Sequence, residues 1–465
     1  MLFSGFSFLF WFLPLTLLFY FLPQLTGWGH APLALRWQNA VLFVFSLLFY
    51  AWGEPVYVLL MLLTIGVNTA LALGIAHEIA RGKRGRAYLI AAVLFDVGLL
   101  LLFKYPPLLG FPAPHLPLGI SFYTFQALSY VADVYMRRAE AERNPFLVGL
   151  YVALFPQLVA GPIVRYTDVA AELRTRTHRI ADASYGVRRF CVGLAKKVLL
   201  ANPVGALFVQ CTTGGADSAV RAWLAVIAFT LQIYFDFSGY TDMAVGLGRV
   251  FGFQFPENFN YPYIAQSVTD FWRRWHITLS SFFREYVYIP LGGNRKGSAR
   301  TVCNLLTVWL LTGLWHGPSL NFLLWGLYYF LLLTLEKHIL KRIPWQAPRA
   351  LKWSATFAAT LLGWTIFFFD GSTEALSLSR LPTFLATLFG ANGFAKGADL
   401  YDLVRELSLL ALCAVGATPW PRQLFSRLTG GRSTLAKTLL PLFALLLSIA
   451  ALADAGFNPF LYFRF

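Results

Sequence analysis

Two histidines in this sequence, His276 and His316, have surroundings in which a titratable side chain can do chemistry. Histidine is the side chain whose ordinary pKa best suits proton transfer near neutral pH. An imidazole at the floor of a membrane cavity can deprotonate a hydroxyl group, which then attacks an activated acyl group. The alternative for His316 is an interhelical histidine bonded to a backbone carbonyl. For His276 it is an interfacial residue with no special role.

His316 lies within an apolar stretch, residues 304–326, which reads NLLTVWLLTGLWHGPSLNFLLWG. This stretch is long enough to enter a bilayer, where an ionisable side chain is costly and usually faces protein or a wet cavity. Gly317 and Pro318 follow it directly, and proline suits the first turn of a new helix. The sequence therefore predicts a helix break at His316 inside the membrane, with Pro318 opening the next helix.

His276 lies in a segment of a different kind, residues 261–290. Ser267 and Asp270 have the spacing of a helix cap. Apolar residues then recur at helical spacing and arginines interrupt them; the apolar set is Trp272, Trp275, Leu279 and Phe282. This pattern predicts one helix that carries His276 and lies at an interface or lines a polar funnel.

A third candidate is the run Gly292-Gly293-Asn294-Arg295-Lys296, which places flexible backbone N–H groups beside positive charge. Asn294 and Arg295 are therefore weak candidates for binding a phosphate of a donor such as coenzyme A. An ordinary basic turn has the same sequence pattern.

Other catalytic patterns are missing from the sequence. It contains no GxSxG nucleophile elbow, no HExxH zinc helix and no GxxxxGK[ST] phosphate loop, and its four cysteines form no CxxC pair. The HxxxD string of His178 and Asp182 lies in a basic polar loop and is attributed to chance. No metal site and no bound cofactor are expected. The sequence favours direct transfer by general base catalysis, or a covalent step on another protein.

Polar residues also interrupt the apolar runs, among them Gln126, Asp133, Gln157, Gln232, Asp236 and Asp242. Acids inside a membrane need partners. Asp236 and Asp242 are expected to bond arginine or tyrosine side chains within the helix bundle. The alternative is that they line an acceptor path or a proton route.

The composition indicates an all-α, polytopic integral membrane protein. Of 465 residues, 57% are hydrophobic and 13% are charged, whereas a soluble domain has about 25% charged residues. Thirteen apolar runs predict about ten to twelve transmembrane helices. The first run has no cationic residue before it and no small-residue cleavage site, so it is expected to be a retained helix.

The net charge of +16 comes from lysines and arginines concentrated in short loops. In a soluble protein it would suggest nucleic acid, but here the positive-inside rule explains most of it, and no nucleic-acid partner is expected. The loop RGKRGR at residues 81–86 should be cytoplasmic, which places the N-terminus outside.

Several blocks together resemble the membrane-bound O-acyltransferase (MBOAT) family, and more narrowly its bacterial alginate O-acetyltransferase branch. The blocks are residues 117–135, 154–166, 236–263, 269–295, 304–317 and the chain end NPFLYFRF. The resemblance covers nearly the whole chain, so we expect one MBOAT membrane domain over 1–465. Residues 236–326 carry the most specific motifs.

The resemblance implies a ring of membrane helices around a thinned centre with a funnel. His316 matches the histidine that would be the catalytic base, and His276 matches the position that would assist it. The implied donor is a cytoplasmic acyl-CoA, above all acetyl-CoA, or an acyl carrier protein. The implied partners are a periplasmic SGNH-type acyltransferase and other polysaccharide-modification proteins, at a bacterial inner membrane.

The sequence thus predicts a membrane O-acyltransferase that passes an acyl group, most simply acetyl, across the membrane for O-acetylation of an exported polysaccharide such as alginate. Alternatives within enzymes are acyl transfer to peptidoglycan, cellulose or teichoic acid. Alternatives from other classes are a non-catalytic acyl or glycan channel, and an ion-coupled transporter that uses Asp236 and Asp242.

Overall fold

The computed structural model describes residues 1–29, 32–106, 110, 115–339, 347–428 and 434–454. Helices dominate these residues, and none of them forms a β-strand. The predicted all-α class is therefore confirmed. The chain end NPFLYFRF, which contributed to the family resemblance, lies outside the described residues.

Twenty α-helices follow one another along the described chain. They are α1 (Leu13–Leu25), α2 (Pro32–Ala51), α3 (Tyr57–Ala80), α4 (Arg86–Lys104), α5 (Ile120–Tyr135), α6 (Pro145–Ala153), α7 (Phe155–Leu158), α8 (Tyr166–Arg174), α9 (Ile180–Ala195), α10 (Asn202–Thr212), α11 (Ala219–Val250), α12 (Val268–Arg274), α13 (Ile277–Phe283), α14 (Ser298–His316), α15 (Leu320–His338), α16 (Arg349–Phe368), α17 (Leu381–Leu388), α18 (Gly397–Gly416), α19 (Trp420–Leu428) and α20 (Thr434–Asp454). Three π-helical segments adjoin them at Phe8–Phe12, Lys196–Ala201 and Arg284–Tyr288.

Seven helical stretches in the described part of the chain are long and apolar enough to cross a membrane. They are Phe8–Leu25, Leu33–Ala51, Tyr57–Ala80, Arg86–Lys104, Ile180–Thr212, Ala219–Val250 and Lys437–Asp454. This number is below the ten to twelve predicted from apolar runs. Part of the reason is that α14, α15, α16 and α18, which have 19 or 20 residues each, are long enough but carry more polar side chains.

The chain forms two compact units. The first comprises Met1–Leu194 and Tyr240–Glu257, and the second comprises Ala195–Gly239 and the described residues from Asn258 onward. The prediction of a single membrane domain over 1–465 stays a prediction, because a division into compact units does not decide family boundaries.

Aromatic side chains fill the core of the first unit. Phe3 stacks on Tyr240 with ring centroids 4.6 Å apart, and it lies 4.8 Å from Phe8. Phe155 contacts Phe12 edge to face at 5.3 Å. Such ring pairs contribute beyond the area they bury.

In the second unit α14 and α15 pack closely as consecutive helices. Gly313 and Gly326 make this approach possible, because a Cβ atom on Gly313 would lie 2.5 Å from the carbonyl oxygen of Phe322. A Cβ atom on Gly326 would lie 2.5 Å from the carbonyl oxygen of Trp309. The two helices therefore meet backbone to backbone at these glycines.

Two acids within an apolar run, Asp236 and Asp242, have basic partners. Lys197 Nζ lies 2.7 Å from Asp236 Oδ1, and both side chains are under 5% exposed. Arg189 Nη2 donates to Asp242 Oδ1 at 2.8 Å. Asp236 is paired with lysine, whereas the sequence had suggested arginine or tyrosine.

Candidate active site

The predicted helix break at His316 is confirmed. Helix α14 ends at His316, and α15 begins at Leu320 with Ser319 in the capping position. Gly317 lies against Phe322, since a Cβ atom there would come within 2.9 Å of that ring. The placement of Pro318 in the first turn of the next helix is wrong, because it precedes the cap and lies in the link between the helices.

The imidazole of His316 is 4% exposed and is oriented by its own helix. Its Nδ1 lies 2.7 Å from the backbone carbonyl oxygen of Thr312, one turn earlier. A carbonyl oxygen only accepts hydrogen bonds, so Nδ1 carries the proton and the lone pair resides on Nε2. Trp325 and Phe367 pack edge to face against the ring at 5.0 and 5.3 Å.

The prediction of one continuous helix carrying His276 is wrong. Ser267 does cap a helix, and its hydroxyl accepts from the N–H of Asp270 at 3.1 Å. That helix, α12, ends at Arg274, and α13 begins at Ile277. His276 stands between them with φ 43° and ψ 55°, a left-handed conformation uncommon outside glycine. No glycine or proline marks this break, which is why the helical spacing of the tryptophans concealed it.

His276 is 1% exposed, and the neighbouring loop residue Asn258 orients it. Nδ1 of His276 lies 3.0 Å from Oδ1 of Asn258. Phe237 packs edge to face on the ring at 4.8 Å. Burial lowers the pKa of His276 well below its ordinary value, and the nearby His316 lowers this pKa further. Both effects favour a neutral imidazole at physiological pH.

The structure brings the two predicted histidines to one cavity in the second unit. Nine side chains line this small cavity. These are Ile233, Trp272, Trp275, His276, Leu279, His316, Trp325, Trp364 and Phe367. The two imidazoles are therefore the titratable groups of an otherwise largely apolar lining, in which charge interactions are strong.

Asn294 and Arg295, the weak phosphate candidates, are not among these lining residues and lie in an exposed turn. The backbone N–H groups of Gly292 and Gly293 donate to the carbonyls of Ile289 and Tyr288, and the Arg295 N–H donates to that of Gly292. These three N–H groups are therefore engaged within the turn. The role of Asn294 and Arg295 in donor binding stays a prediction.

Sequence reasoning missed Asn258, Trp325 and Trp364 as parts of this site. Asn258 lies in FPENFNYPY, a run whose polar residues look like an ordinary loop. The two tryptophans look like core residues, and both are 1% exposed. Only their placement around the histidines gives them significance. Among the described residues, no group of three or more His, Cys, Asp or Glu side chains is arranged to hold a metal ion.

Comparison with known proteins identifies the family. The model of the membrane-bound O-acyltransferase family matches residues 144–378, a range that includes both histidines. The chain is 40% identical over 369 residues to the "Probable alginate O-acetylase AlgI" of Pseudomonas fluorescens, covering 79% of this chain and 72% of that protein.

Two further relatives are similar over even more of the chain. The protein of the same name from Pseudomonas putida is 35% identical over the full length of both chains. The "Peptidoglycan O-acetyltransferase" of Helicobacter pylori is 34% identical, covering 88% of this chain and 82% of its own. The chain therefore belongs to the membrane-bound O-acyltransferase family and is a multi-pass membrane O-acyltransferase.

Proposed function

We propose that this enzyme takes an acetyl group from a cytosolic thioester, acetyl-CoA or an acetylated carrier protein, and passes it on for O-acetylation of an exported polysaccharide such as alginate. The observation that carries the proposal is the pair His276 and His316, whose imidazoles line one buried, largely apolar cavity. The similarity to proteins named as alginate O-acetylases supports the acetyl group and the polymer.

His316 is the proposed general base. Its Nε2 removes the proton from an acceptor hydroxyl as the oxygen attacks the thioester carbonyl carbon. The new C–O bond forms, the C–S bond breaks, and the thiolate leaves. The imidazolium then returns the proton to the thiolate, so that a free thiol and an ester are the products and the histidine is neutral again. The step needs no covalent intermediate on the enzyme.

His276 is proposed to assist by accepting a hydrogen bond or sharing positive charge while His316 is protonated. Its neutral state supports this role, because a second permanent cation in the cavity would disfavour protonation of His316. The aromatic side chains around both rings keep bulk water from competing for the thioester.

The hydroxyl acceptor of this first transfer is proposed to reach the cavity from the far side of a bacterial inner membrane. Final transfer to the polymer is assigned to a periplasmic SGNH-type acyltransferase, as the family resemblance implies. The lack of a serine nucleophile elbow in this sequence fits that assignment. Other polysaccharide-modification proteins are proposed as further partners.

The test uses membranes that contain the enzyme and its periplasmic partner, with radiolabelled acetyl-CoA or acetylated carrier protein as donor. Label should reach polymer with wild type and fall by about 10²- to 10⁴-fold with His316→Gln, the range that a general base contributes. His77→Gln is the matched control, because His77 is an exposed helical histidine in α3. Equal transfer by wild type and His316→Gln would refute the general-base role and favour a channel.

Peptidoglycan is the second candidate acceptor, favoured by the Helicobacter pylori relative. The same membranes can be offered alginate and peptidoglycan in competition. If peptidoglycan received more label than alginate, peptidoglycan would replace alginate as the proposed acceptor, and the proposed role of His316 would be unaffected.

A further inference from the structure

The loop after α11 brings a buried asparagine to the break between α12 and α13. Asn258 is 1% exposed. Three donors converge on its side-chain oxygen: Nδ1 of His276 at 3.0 Å, the hydroxyl of Thr278 at 2.9 Å, and the backbone N–H of Thr278 at 3.3 Å. A single amide oxygen thus contacts the side chain of His276 and the first turn of α13.

These contacts fix which way the amide of Asn258 points. The oxygen and nitrogen of an asparagine side chain are assigned from their hydrogen-bond partners. A backbone N–H can only donate, so the atom that faces Thr278 must be the amide oxygen. The reversed amide would put an NH₂ group against that N–H and leave a buried donor without an acceptor.

The orientation of the amide decides the tautomer of His276. Because Oδ1 can only accept, Nδ1 of His276 must carry the proton. In the neutral imidazole the lone pair then resides on Nε2. His316 reaches the same tautomer through the carbonyl of Thr312. Both histidines of the cavity therefore have their basic nitrogen at Nε2.

The backbone of Asn258 holds the same turn independently of its side chain. Its carbonyl oxygen accepts from the N–H of Ile277 at 3.0 Å, at the first residue of α13. Since His276 has φ 43°, this contact helps to maintain a conformation that a histidine seldom adopts. A substitution of the Asn258 side chain leaves this backbone bond in place, so the turn should survive it.

We propose that Asn258 is a positioning residue of the acyltransferase site. Its side-chain oxygen fixes the Nδ1–H tautomer of His276 and so keeps the lone pair of the His276 ring on Nε2. The kinetic consequence rests on the proposed role of His276. The tautomer of His276 does not rest on that role. The tautomer and its kinetic consequence can therefore be tested separately.

The first experiment reads the tautomer directly. Full-length protein with ¹⁵N-labelled histidine is reconstituted in lipid, and solid-state NMR distinguishes protonated from unprotonated ring nitrogens. The His276 signals are assigned by their loss in His276→Gln. We expect protonated Nδ1 and unprotonated Nε2 in wild type, and a mixture of both tautomers in Asn258→Leu. Retention of the pure Nδ1–H form in Asn258→Leu would overturn the proposal.

The second experiment follows acetyl transfer at saturating donor. Asn258→Leu should lower kcat by about 10- to 100-fold with little change in KM, the range for loss of a partner that fixes a histidine tautomer. In a His276→Gln background the same substitution should have almost no further effect. If Asn258→Leu lowered kcat by the same factor in wild type and in His276→Gln, its role would be merely structural and the proposal would be overturned. Asn260→Leu is the matched control, because Asn260 lies in the same loop with an exposed side chain.

A conservative variant protects the test against misfolding. Asn258→Asp keeps an oxygen acceptor and should restore the Nδ1–H tautomer. Its carboxylate would also favour the imidazolium of His276, the residue that faces His316 in the cavity, so the acidic limb of the kcat–pH profile should move to higher pH. If Asn258→Asp left the kcat–pH profile unchanged and did not keep the Nδ1–H tautomer of His276, the proposal would be refuted. If His276→Gln retains full activity while the NMR result holds, the role proposed for His276 fails but the placement of Asn258 stands.

Discussion

The two histidines of the site are held by contacts of different range. His316 bonds the carbonyl of Thr312, four residues earlier in its own helix. This contact lies within α14. His276 depends on Asn258, eighteen residues away in a separate loop. The orientation of His316 is therefore a property of a helix end, whereas the orientation of His276 requires the folded second unit.

A third histidine, His178, should make the stability of the first unit sensitive to pH. Its Nε2 lies 2.8 Å from the hydroxyl of Tyr20, and burial, then the charge of Arg176, lowers its pKa to about 4. An unfolded histidine has a pKa near 6.5, so between about pH 6.5 and 4 the unfolded chain binds more protons than the folded chain. Folding stability should therefore fall as the pH falls through this window.

The measurement is the melting temperature of the detergent-purified protein at pH 7 and pH 5. Wild type should lose more stability between these two values than His178→Gln, which cannot titrate but can still bond Tyr20. Identical pH dependence in the two proteins would contradict the assignment.

At the scale of elements, close backbone approaches and breaks shape the second unit. Helices α12 and α13 have seven residues each, and their break presents His276. Helix α14 ends at His316, and α15 begins after a link of three residues, at Leu320. Both histidines thus stand at helix ends, where the chain direction changes and a side chain can point into a cavity.

Gly326→Ala should destabilise the α14–α15 pair. The added methyl group would lie 2.5 Å from the carbonyl oxygen of Trp309, so the two helices would have to separate. Overpacking of this kind costs about 1–3 kcal/mol. The melting temperature should fall, together with activity, because α14 carries His316.

The control for this substitution is Gly98→Ala in α4, where an added Cβ atom meets no atom within 4 Å. That change should be neutral or slightly stabilising, because alanine favours a helix over glycine. Equal effects of the two substitutions would show that the close approach at Gly326 does not matter.

The buried pair of Lys197 and Asp236 links the π-helical segment Lys196–Ala201 to α11. Lys197→Met should destabilise the protein by about 3–5 kcal/mol, since it leaves a buried carboxylate without its cation. The double variant Lys197→Met/Asp236→Leu should recover much of this loss. If the double variant is no more stable than Lys197→Met, the two residues act separately.

Thermal unfolding in detergent provides the measurement for this pair. Lys396→Met is the matched control, because Lys396 pairs with Asp217 where both side chains are at least half exposed. Exposed ion pairs contribute little to stability, so the control should melt close to wild type.

At the scale of the whole molecule, the basic residues set the orientation in the membrane. Seven described helical stretches suit a bilayer, and the loop at residues 81–86 between the third and fourth carries four cationic side chains in sequence, RGKRGR. A cluster of this kind is retained on the cytoplasmic side.

This orientation predicts that Lys83→Cys reacts with a membrane-impermeant maleimide in inverted vesicles and not in intact spheroplasts. Lys83 is exposed, and the experiment uses a Cys303→Ser background because Cys303 is the exposed native thiol. Labelling in spheroplasts would reverse the predicted topology.

Much of this protein was determined by sequence alone. Long apolar runs with basic loops between them indicate helices in a membrane, because the hydrogen bonds within a helix satisfy its backbone there. The family motifs singled out His276 and His316, and the Gly-Pro pair marked the break after His316. These features are local, so they could be recognised without knowing which segments meet.

Only the tertiary structure decided how His276 is presented. Its segment has the spacing of one helix, yet contacts from Asn258 to the turn between α12 and α13 favour two short helices with a left-handed residue between them. The tryptophans that line the cavity come from three separate helices, namely α12 with its C-terminal cap, α15 and α16. Which of many similar apolar residues surround the histidines depends on contacts between distant segments, and no local pattern encodes those contacts.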